Sequence, residues 1–350
     1  MNLTLARLRI ALLCAVLIPL MASIAHAGTI SYSLTGTPIA VNGSNNSGFI
    51  LNQTGTGTFQ IVNAVTGATT NIAAPTGGAT GLTPYAVSGN GQYVTGEVLI
   101  GGIDRAFVYN ATTQTYSYPA ECATCGRASG GVSVNSSGQV VGDATRPILI
   151  NGQTMYALGS NFGDARSISE NGVIVGDYGT PAAIWTNGGS TLSLVPSLSS
   201  LMLTDETGSY AGGIYASGDL GVMNISTGSI TDLGLTDGWF LSVLAGGITL
   251  ADDANGIPYV WAPGWTSAQP LTSFGVTYPG TLVGSYLYNS EWEFVSHHSV
   301  DVTGAPLSTF GLTNPLVDPP GSSVPEPASL LLVGTALLGL GSLGSRKSRR

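Results

Sequence analysis

The sequence predicts an all-β protein in which small sheets repeat as a β-propeller of about six blades. Two observations predict this fold. Short runs of β-branched and aromatic residues are separated by Gly, Asn, Ser, Thr and Asp, and one turn-like element recurs along the chain. No long helical periodicity of apolar residues is present between the two ends. A β-sandwich or a β-helix is the alternative fold, because irregularly spaced turns also suit stacked sheets.

The composition is that of a folded domain with little charge. Of the 350 residues 50 are glycine, and charged residues make up only 8%, against about 25% in a typical soluble protein. Hydrophobic residues make up 43%, enough for a sizeable core. Residues 28–323 contain four arginines and 18 of the 19 acidic residues. This excess of negative charge repels a phosphate backbone, so nucleic acid is not an expected partner.

Residues 1–27 have the organisation of a secretory signal peptide. Two arginines precede an uncharged apolar run over residues 10–21, and the small residues Ala25 and Ala27 follow it in an A-x-A cleavage pattern. The sequence therefore predicts export through the Sec route, with Gly28 as the first residue of the mature chain.

Residues 28–318 are predicted to form the repeat domain. In the recurring element a Ser, Asn or Asp stands three positions before a glycine, the pattern of a tight turn in which the side-chain oxygen accepts a backbone N–H and the glycine adopts a left-handed conformation. The six intervals between these seven turns, 34 to 48 residues long, predict about six blades of four short strands each. The turn glycines are Gly48, Gly91, Gly138, Gly172, Gly208, Gly256 and Gly304.

Residues 319–350 are predicted to form a linker and a membrane-targeting segment. Residues 328–345 contain no charge, and 18 helical residues span about 27 Å, close to the thickness of a bilayer core. Four cations end the chain and would hold that end in the cytoplasm by the positive-inside rule. They are Arg346, Lys347, Arg349 and Arg350.

Pro325, Glu326 and Pro327, followed by one apolar segment and a basic end, resemble the PEP-CTERM sorting signal of Gram-negative bacteria. The resemblance implies that an exosortase recognises the Pro-Glu-Pro motif and removes the tail from an inner-membrane intermediate. It also implies an association with exopolysaccharide and biofilm, at the cell surface or in the medium. A permanent one-helix anchor is the alternative.

Two segments of the repeat, residues 86–96 and 133–142, resemble the bacterial extracellular repeats of the HAF family, and residues 29–34 resemble the strand that opens such proteins. The resemblance implies a propeller-like extracellular domain without assigned chemistry.

Cys122 and Cys125 are the only cysteines of the predicted mature domain. In an exported protein a structural disulfide across this short loop is the first expectation. A redox pair or a metal site is the alternative, although a redox C-x-x-C usually opens a helix in a βαβ unit, and this one lies in a loop rich in Gly and Ser.

No catalytic motif is recognisable, and no cofactor is expected. Residues 205–208 and 252–256 carry carboxylates that suit Ca²⁺, but they lack the spacing of a calcium loop and coincide with the repeat turn. His297 and His298 lie adjacent in a predicted strand with no third spaced ligand.

We therefore expect an exported, exosortase-processed surface or matrix protein with a structural or binding role, linked to exopolysaccharide. A carbohydrate-binding adhesin is the first alternative, because aromatic side chains stack on sugar rings. Trp239, Trp265 and Trp292 are its candidates, since Trp185 and Trp261 occupy equivalent repeat positions and are expected in the core. A polysaccharide-acting enzyme is the second alternative, and it requires carboxylates from different blades to converge at one mouth of the ring.

Overall fold

The computed structural model describes residues 35–43, 47–120, 130–278, 280–288, 291–296 and 302–312. These residues form seven antiparallel sheets, six of four strands and one of three, in which each strand pairs with the next along the chain. Sheet 1 contains β1 (Thr37–Asn42), β2 (Phe49–Gly55), β3 (Thr58–Asn63) and β4 (Thr69–Asn71), and sheet 2 contains β5 (Ala79–Val87), β6 (Tyr93–Ile100), β7 (Ile103–Asn110) and β8 (Thr115–Ser117). Sheet 3 contains β9 (Gly130–Val134), β10 (Val140–Asp143), β11 (Pro147–Asn151) and β12 (Thr154–Ala157). Sheet 4 contains β13 (Ala165–Ile168), β14 (Ile174–Asp177), β15 (Ala182–Thr186) and β16 (Thr191–Val195). Sheet 5 contains β17 (Ser200–Thr204), β18 (Tyr210–Ile214), β19 (Asp219–Asn224) and β20 (Ile230–Thr236). Sheet 6 contains β21 (Trp239–Val243), β22 (Thr249–Asp252), β23 (Pro258–Trp261) and β24 (Gln269–Pro270). Sheet 7 contains β25 (Leu282–Tyr288), β26 (Glu291–Ser296) and β27 (Val302–Pro306).

The seven sheets close into a ring. The first strand of each sheet contacts the first strand of the next, in the order β1, β5, β9, β13, β17, β21 and β25, and β25 contacts β1. The first strands are therefore the innermost layer around a central axis, and the later strands of each sheet lie progressively further out. This arrangement is a seven-bladed β-propeller.

The hydrophobic core is divided into layers between neighbouring sheets. Leu149 of sheet 3 packs with Ala183 and Trp185 of sheet 4, and Val175 of sheet 4 packs with Ala211 of sheet 5. The ring closure has the same construction, because Ile50 of sheet 1 packs with Tyr286 and Val295 of sheet 7. A single sheet has two apolar faces and needs a neighbour on each side, which is why the fold requires the closed ring.

The turn between the first and second strands has the geometry that its sequence predicts in sheets 2 to 5. In sheet 5 the carboxylate of Asp205 accepts the N–H groups of Ser209 at 2.7 Å and Tyr210 at 2.9 Å. The Gly208 N–H donates to the Asp205 carbonyl, and the glycine has a φ of 70°. Ser88, Asn135 and Ser169 accept backbone N–H groups in the equivalent way.

A second glycine recurs in the second strand, because the first strand approaches it too closely for a side chain. A Cβ at Gly176 would overlap the carbonyl group of Asp164, and a Cβ at Gly142 would overlap that of Gly130. This contact explains why the apolar pair that follows the turn, such as Val140-Val141, is followed by glycine.

The structure has seven blades, whereas the six intervals between the marked glycines predicted six; the seven glycines lie one in each sheet, although not all of them at the equivalent turn. In sheet 6 the equivalent turn runs from Leu244 to Ile248 and has no polar first residue, so the pattern did not mark it. Gly256 lies in the following turn, between β22 and β23, and Gly304 lies inside β27 opposite Glu293. Sheet 7 connects β25 to β26 through two residues, too few for the predicted four-residue turn. The sandwich and β-helix alternatives are wrong, since the sheets close into a ring.

The remaining regular elements of the described residues are three short 3-10 helices, Ala245–Gly247, Leu271–Phe274 and Leu307–Phe310. Within the described part of the chain no helix is long and apolar enough to cross a membrane. The predicted signal peptide with Ala25 and Ala27, the predicted membrane segment 328–345, the pair Cys122 and Cys125, the histidines at 297 and 298, and residues 44–46 of the first predicted turn lie outside the described residues.

Candidate functional site at the mouth of the ring

Each inner strand carries a β-bulge at the same level of the ring. A bulge adds one residue to a strand and redirects its side chain. The preceding residue is buried in all seven strands, whereas the bulged residue is at least partly exposed. The bulged residues therefore occupy equivalent positions in the seven blades. They are Ile39, Tyr85, Val132, Arg166, Met202, Leu241 and Val283.

One face of the ring, named here the mouth face, is where the first strands begin and the second strands end. Four second strands carry an acidic residue at this level: Glu97, Asp143, Asp177 and Asp252. Two of them fix the entry of the inner strand. Asp177 Oδ1 accepts the N–H of Asp164 at 3.2 Å, and Asp252 Oδ1 accepts the N–H of Trp239 at 3.0 Å. These two carboxylates therefore fix the backbone at the start of β13 and β21, on the mouth face.

Arg166 forms ion pairs with Asp177 and with Asp164, which directly precedes β13. Its Nη2 lies 2.9 Å from Asp164 Oδ2, and its Nε lies 3.2 Å from Asp177 Oδ2, which also accepts the Ser200 hydroxyl at 3.2 Å. Burial raises the pKa of Asp164, and the Arg166 guanidinium opposes that shift. The charges of Asp177 and Asp143 raise the pKa further, so carboxylates of two neighbouring blades interact at the mouth.

Tyr85 supplies an aromatic ring to the same rim. Burial, and then a hydrogen bond to the Glu97 carboxylate, raise the pKa of the Tyr85 hydroxyl. The hydroxyl is therefore neutral at physiological pH and donates to Glu97, while the ring remains partly exposed.

Exposed apolar side chains concentrate on the mouth face. Trp239 is 61% exposed at the start of β21, and Phe162 is 76% exposed in the loop that leads into β13. Tyr85 and Val132 are exposed at their bulges, and Ile257 is exposed in the turn from β22 to β23. Among the described residues the other exposed large apolar side chains lie on the outermost strands, and none lies on the opposite face. This one-sided distribution makes the mouth face the candidate interaction surface.

The tryptophans predicted to bind sugar are in three different environments. Trp292 is fully buried and donates its indole N–H to Ser285 Oγ at 2.8 Å. Trp265 is half-buried and stacks on Phe274 at 5.7 Å between ring centroids. Trp239 is the exposed one. Trp185 and Trp261 are buried, as their shared repeat position predicted.

The carboxylates considered for Ca²⁺ are used by the turns. Asp253 Oδ1 accepts the N–H groups of Asn255 at 2.9 Å and Ile257 at 3.0 Å, which parallels the contacts of Asp205. No group of three or more His, Cys, Asp or Glu residues in the described part of the chain is arranged to hold a metal ion. Sequence reasoning missed Tyr85 and Phe162 at the mouth, because nothing local distinguishes them from core aromatics.

Comparison with known proteins finds a sorting motif at the C-terminal end of the sequence and propellers of similar fold among solved structures. Residues 323–350 match the PEP-CTERM protein-sorting motif. The motif implies processing by an exosortase and an exported, membrane-passing route. No curated protein has significant sequence similarity to the chain.

Solved structures with the same fold share little sequence with this chain. A chain of the mitotic checkpoint complex is 10% identical, with a TM-score of 0.52 over 81% of this chain and 94% of that chain. The β-propeller domain of Cps50 (Swd1) from Myceliophteria thermophila is 12% identical, with a TM-score of 0.50 over 79% and 98%. An oligogalacturonate lyase from Vibrio parahaemolyticus is 10% identical, with a TM-score of 0.50 over 81% and 93%. At these identities the similarity shows the fold alone.

Proposed function

We propose that the chain is an exported, exosortase-sorted protein of the cell surface or extracellular matrix, with a non-catalytic binding role in exopolysaccharide. In this proposal the propeller is a rigid carbohydrate-binding module, and the mouth face is its binding surface. The resemblance of the repeats to extracellular HAF-like repeats supports the same location.

The observation that carries the binding role is the exposed indole of Trp239. The flat apolar face of an exposed indole stacks on the C–H face of a sugar ring, and its N–H remains available to a sugar hydroxyl. Phe162 and Tyr85 add aromatic surface on the same face of the ring. Carboxylates and hydroxyls beside them, such as Asp177 and Ser200, supply acceptors and donors for sugar hydroxyl groups.

The charge at the mouth restricts the polysaccharide. Glu97, Asp143, Asp164, Asp177 and Asp252 lie at this rim. The guanidinium groups of Arg166, at its bulge, and of Arg146, in the turn between β10 and β11, offset only part of this negative charge. Like charges repel, so a polyuronate is disfavoured and a neutral polymer is the expected ligand.

Replacing the indole tests the binding role. Among neutral glucan, mannan and xylan oligosaccharides, the one that the wild type binds with the highest affinity is chosen as the ligand. Trp239→Ala should weaken its binding about tenfold, which corresponds to about 1.4 kcal/mol of binding free energy. Isothermal titration calorimetry measures this change. Tyr156→Ala is the matched control, because Tyr156 is 51% exposed on the outer strand β12 and should leave the affinity unchanged. Equal affinities for wild type and Trp239→Ala would refute the assignment.

The sorting role has a separate test. Alanine at Pro325, Glu326 and Pro327 together should leave the unprocessed chain in the inner membrane, because the exosortase no longer recognises its motif. Cell fractionation and immunoblotting against the propeller measure the distribution. Alanine at the three residues Ser342, Leu343 and Gly344, within the apolar segment, is the control and should permit release. Normal release of the first variant would contradict the proposed route.

The second candidate function is hydrolysis or elimination on a polysaccharide. The specific observation in its favour is the convergence of Asp143, Asp164 and Asp177 at the mouth. The binding role is favoured because Arg166 already engages Asp164 and Asp177, and Asp177 holds the inner strand. New reducing ends or unsaturated products from the bound polysaccharide, lost in Asp164→Asn, would establish the enzyme instead.

A further inference from the structure

The outer edge of sheet 4 lacks the features that usually prevent strand pairing. The outermost strand β16 (Thr191–Val195) pairs with β15 without a register shift, and its first four residues are exposed. Its sequence, TLSLV, contains no charge, proline or glycine. Edge strands in soluble proteins are normally protected by charges, prolines, bulges or covering segments, because their free backbone groups pair with other strands.

The other outer strands in the described part of the ring are shorter, irregular, covered or interrupted by glycine and proline. In sheet 7 the outer strand β27 has five residues, which include Gly304 and Pro306. In sheet 5 the pairing of β20 shifts register, and the strand contains Asp232 and Gly234. In sheet 6 β24 has two residues, one of them Pro270. Sheets 1 and 2 end in strands of three residues. Beside β12 the carbonyl of Gln153 accepts the N–H of Ala120. The strand β16 is thus the longest regular edge without protection.

Two leucines of β16 point to the groove between sheets 3 and 4. Leu192 stands opposite Trp185 and Leu194 opposite Ala183 across the β15–β16 pair. Directly opposed residues share a face of the sheet. Both partners belong to the core layer between sheets 3 and 4, so the leucines lie at the outer opening of that layer. Their exposed fractions are 37% and 48%.

Tyr156 reaches the same opening from sheet 3. It stands opposite Leu149, which belongs to the same core layer, and it is 51% exposed. Tyr156, Leu192 and Leu194 form what we name the perimeter groove. They are the exposed large apolar side chains, among the described residues, that do not lie on the mouth face. Their convergence on one opening indicates an interaction site distinct from the mouth.

We propose that the perimeter groove and the β16 edge are a self-association site, at which β16 of a second copy pairs antiparallel with β16 around Ser193. In that register Leu192 faces Leu194 of the second copy, and Leu194 faces its Leu192, so the apolar side chains of both copies meet on one face. A two-fold arrangement of this kind is self-complementary, as a closed dimer requires.

The charge distribution favours a second copy at this place. The sequence as a whole carries a net charge of −9, so two copies repel each other over most orientations. Residues 147–163 and 178–204 contain no charged residue, and they include the whole perimeter groove. The contact is small, because it extends one strand by another. A reversible, concentration-dependent dimer is therefore expected rather than a permanent one.

Disulfide trapping tests the register directly. In the purified exported protein, Ser193→Cys places two thiols opposite each other across the two-fold axis, about 5 Å apart between Cα atoms. Oxidation with diamide should give a covalent dimer on a non-reducing gel. Thr191→Cys is the matched control on the same strand. The Cα atoms of the two Thr191→Cys residues would lie about 14 Å apart, beyond the reach of a disulfide, so this variant should give no covalent dimer on the same gel.

Sedimentation equilibrium on the wild type and on Leu194→Lys gives an independent measurement. The wild-type mass should rise towards twice the monomer mass with concentration, and Leu194→Lys should stay at the monomer mass with an unchanged melting temperature. Ile257→Lys, on the mouth face with similar exposure, should dimerise like the wild type. A monomeric wild type at every concentration, or equal trapping of both cysteine variants, would overturn the proposal.

Discussion

Glutamine in place of Glu293 should remove most of the pH dependence of propeller stability between pH 5 and pH 8. Glu293 lies in β26, is fully buried, and has its carboxylate directly over Gly304, where a Cβ would be 2.5 to 2.7 Å from the carboxyl atoms. Burial, reinforced by the neighbouring Glu291, raises the pKa of Glu293 from 4.5 to about 8. The folded protein therefore holds a proton on this group that the unfolded chain releases.

The direction of the effect follows from proton linkage. Below pH 4.5 both states carry the proton, and the contribution of Glu293 to stability is fully present. Between the unfolded-state pKa and the raised folded-state pKa only the folded state carries the proton. The free energy of unfolding therefore falls as the pH rises through this interval, by up to about 1.4 kcal/mol per pH unit for one proton. Above the folded-state pKa the loss is complete.

Urea denaturation across this pH range measures the slope. The free energy of unfolding of Glu293→Gln should be nearly independent of pH over the range in which that of the wild type declines. The variant should therefore be the more stable protein at pH 8. Asp104→Asn removes an exposed carboxylate and should retain the wild-type slope. An undiminished slope in Glu293→Gln would show that the carboxylate is not buried as the structure has it. The effect matters for the ring, because Glu293 lies in the sheet whose strand β25 contacts β1.

Alanine in place of Gly176 should destabilise the propeller by about 3 kcal/mol, the upper end of the usual cost of overpacking. Its Cβ would overlap the Asp164 carbonyl group, which belongs to the backbone and has no alternative rotamer. Either β14 or the bulge at Arg166 must move. The same shift would displace Asp177, which follows Gly176 and holds both Arg166 and the entry to β13.

Chemical denaturation compares this variant with Gly55→Ala. Gly55 is exposed at the end of β2, and a Cβ there would meet only the flexible hydroxyl of Thr58 at 3.0 Å. Its free energy of unfolding should change by no more than about 0.5 kcal/mol. A loss of comparable size in both variants would mean that the close approach of the first and second strands does not explain the recurring glycine.

The features that the sequence predicted are local ones. The turn at Ser88, Asn135, Ser169 and Asp205 depends on a side-chain oxygen and a glycine within a few residues, and the structure places it in four successive sheets. The prediction of six blades was wrong because it counted the six intervals between the seven marked glycines, whereas these glycines lie one in each of the seven sheets. Two of them, Gly256 and Gly304, do not mark the turn between the first and second strands. Leu244 begins the equivalent turn of sheet 6 through backbone hydrogen bonds alone.

The mouth face was less predictable because it depends on long-range pairing. A bulge is defined by the register of two strands, so no local pattern distinguishes Tyr85 at a bulge from Tyr109 in the core. Trp239 was a candidate because it falls outside the repeat position of the core tryptophans. Trp292 had the same signal but is buried beside Phe294 and Phe310. Burial of that side chain depends on which residues pack around it, and only the folded ring supplies them.

Hydroxyl-radical footprinting of the exported protein, with and without the neutral oligosaccharide that it binds best, tests the central claim that the mouth face is the binding surface. Binding at the mouth face should protect Trp239, Phe162 and Tyr85 from oxidation and leave Tyr156 on the outer strand as reactive as before. Unchanged oxidation of the three mouth aromatics at a saturating ligand concentration, or protection confined to Tyr156, would contradict that claim.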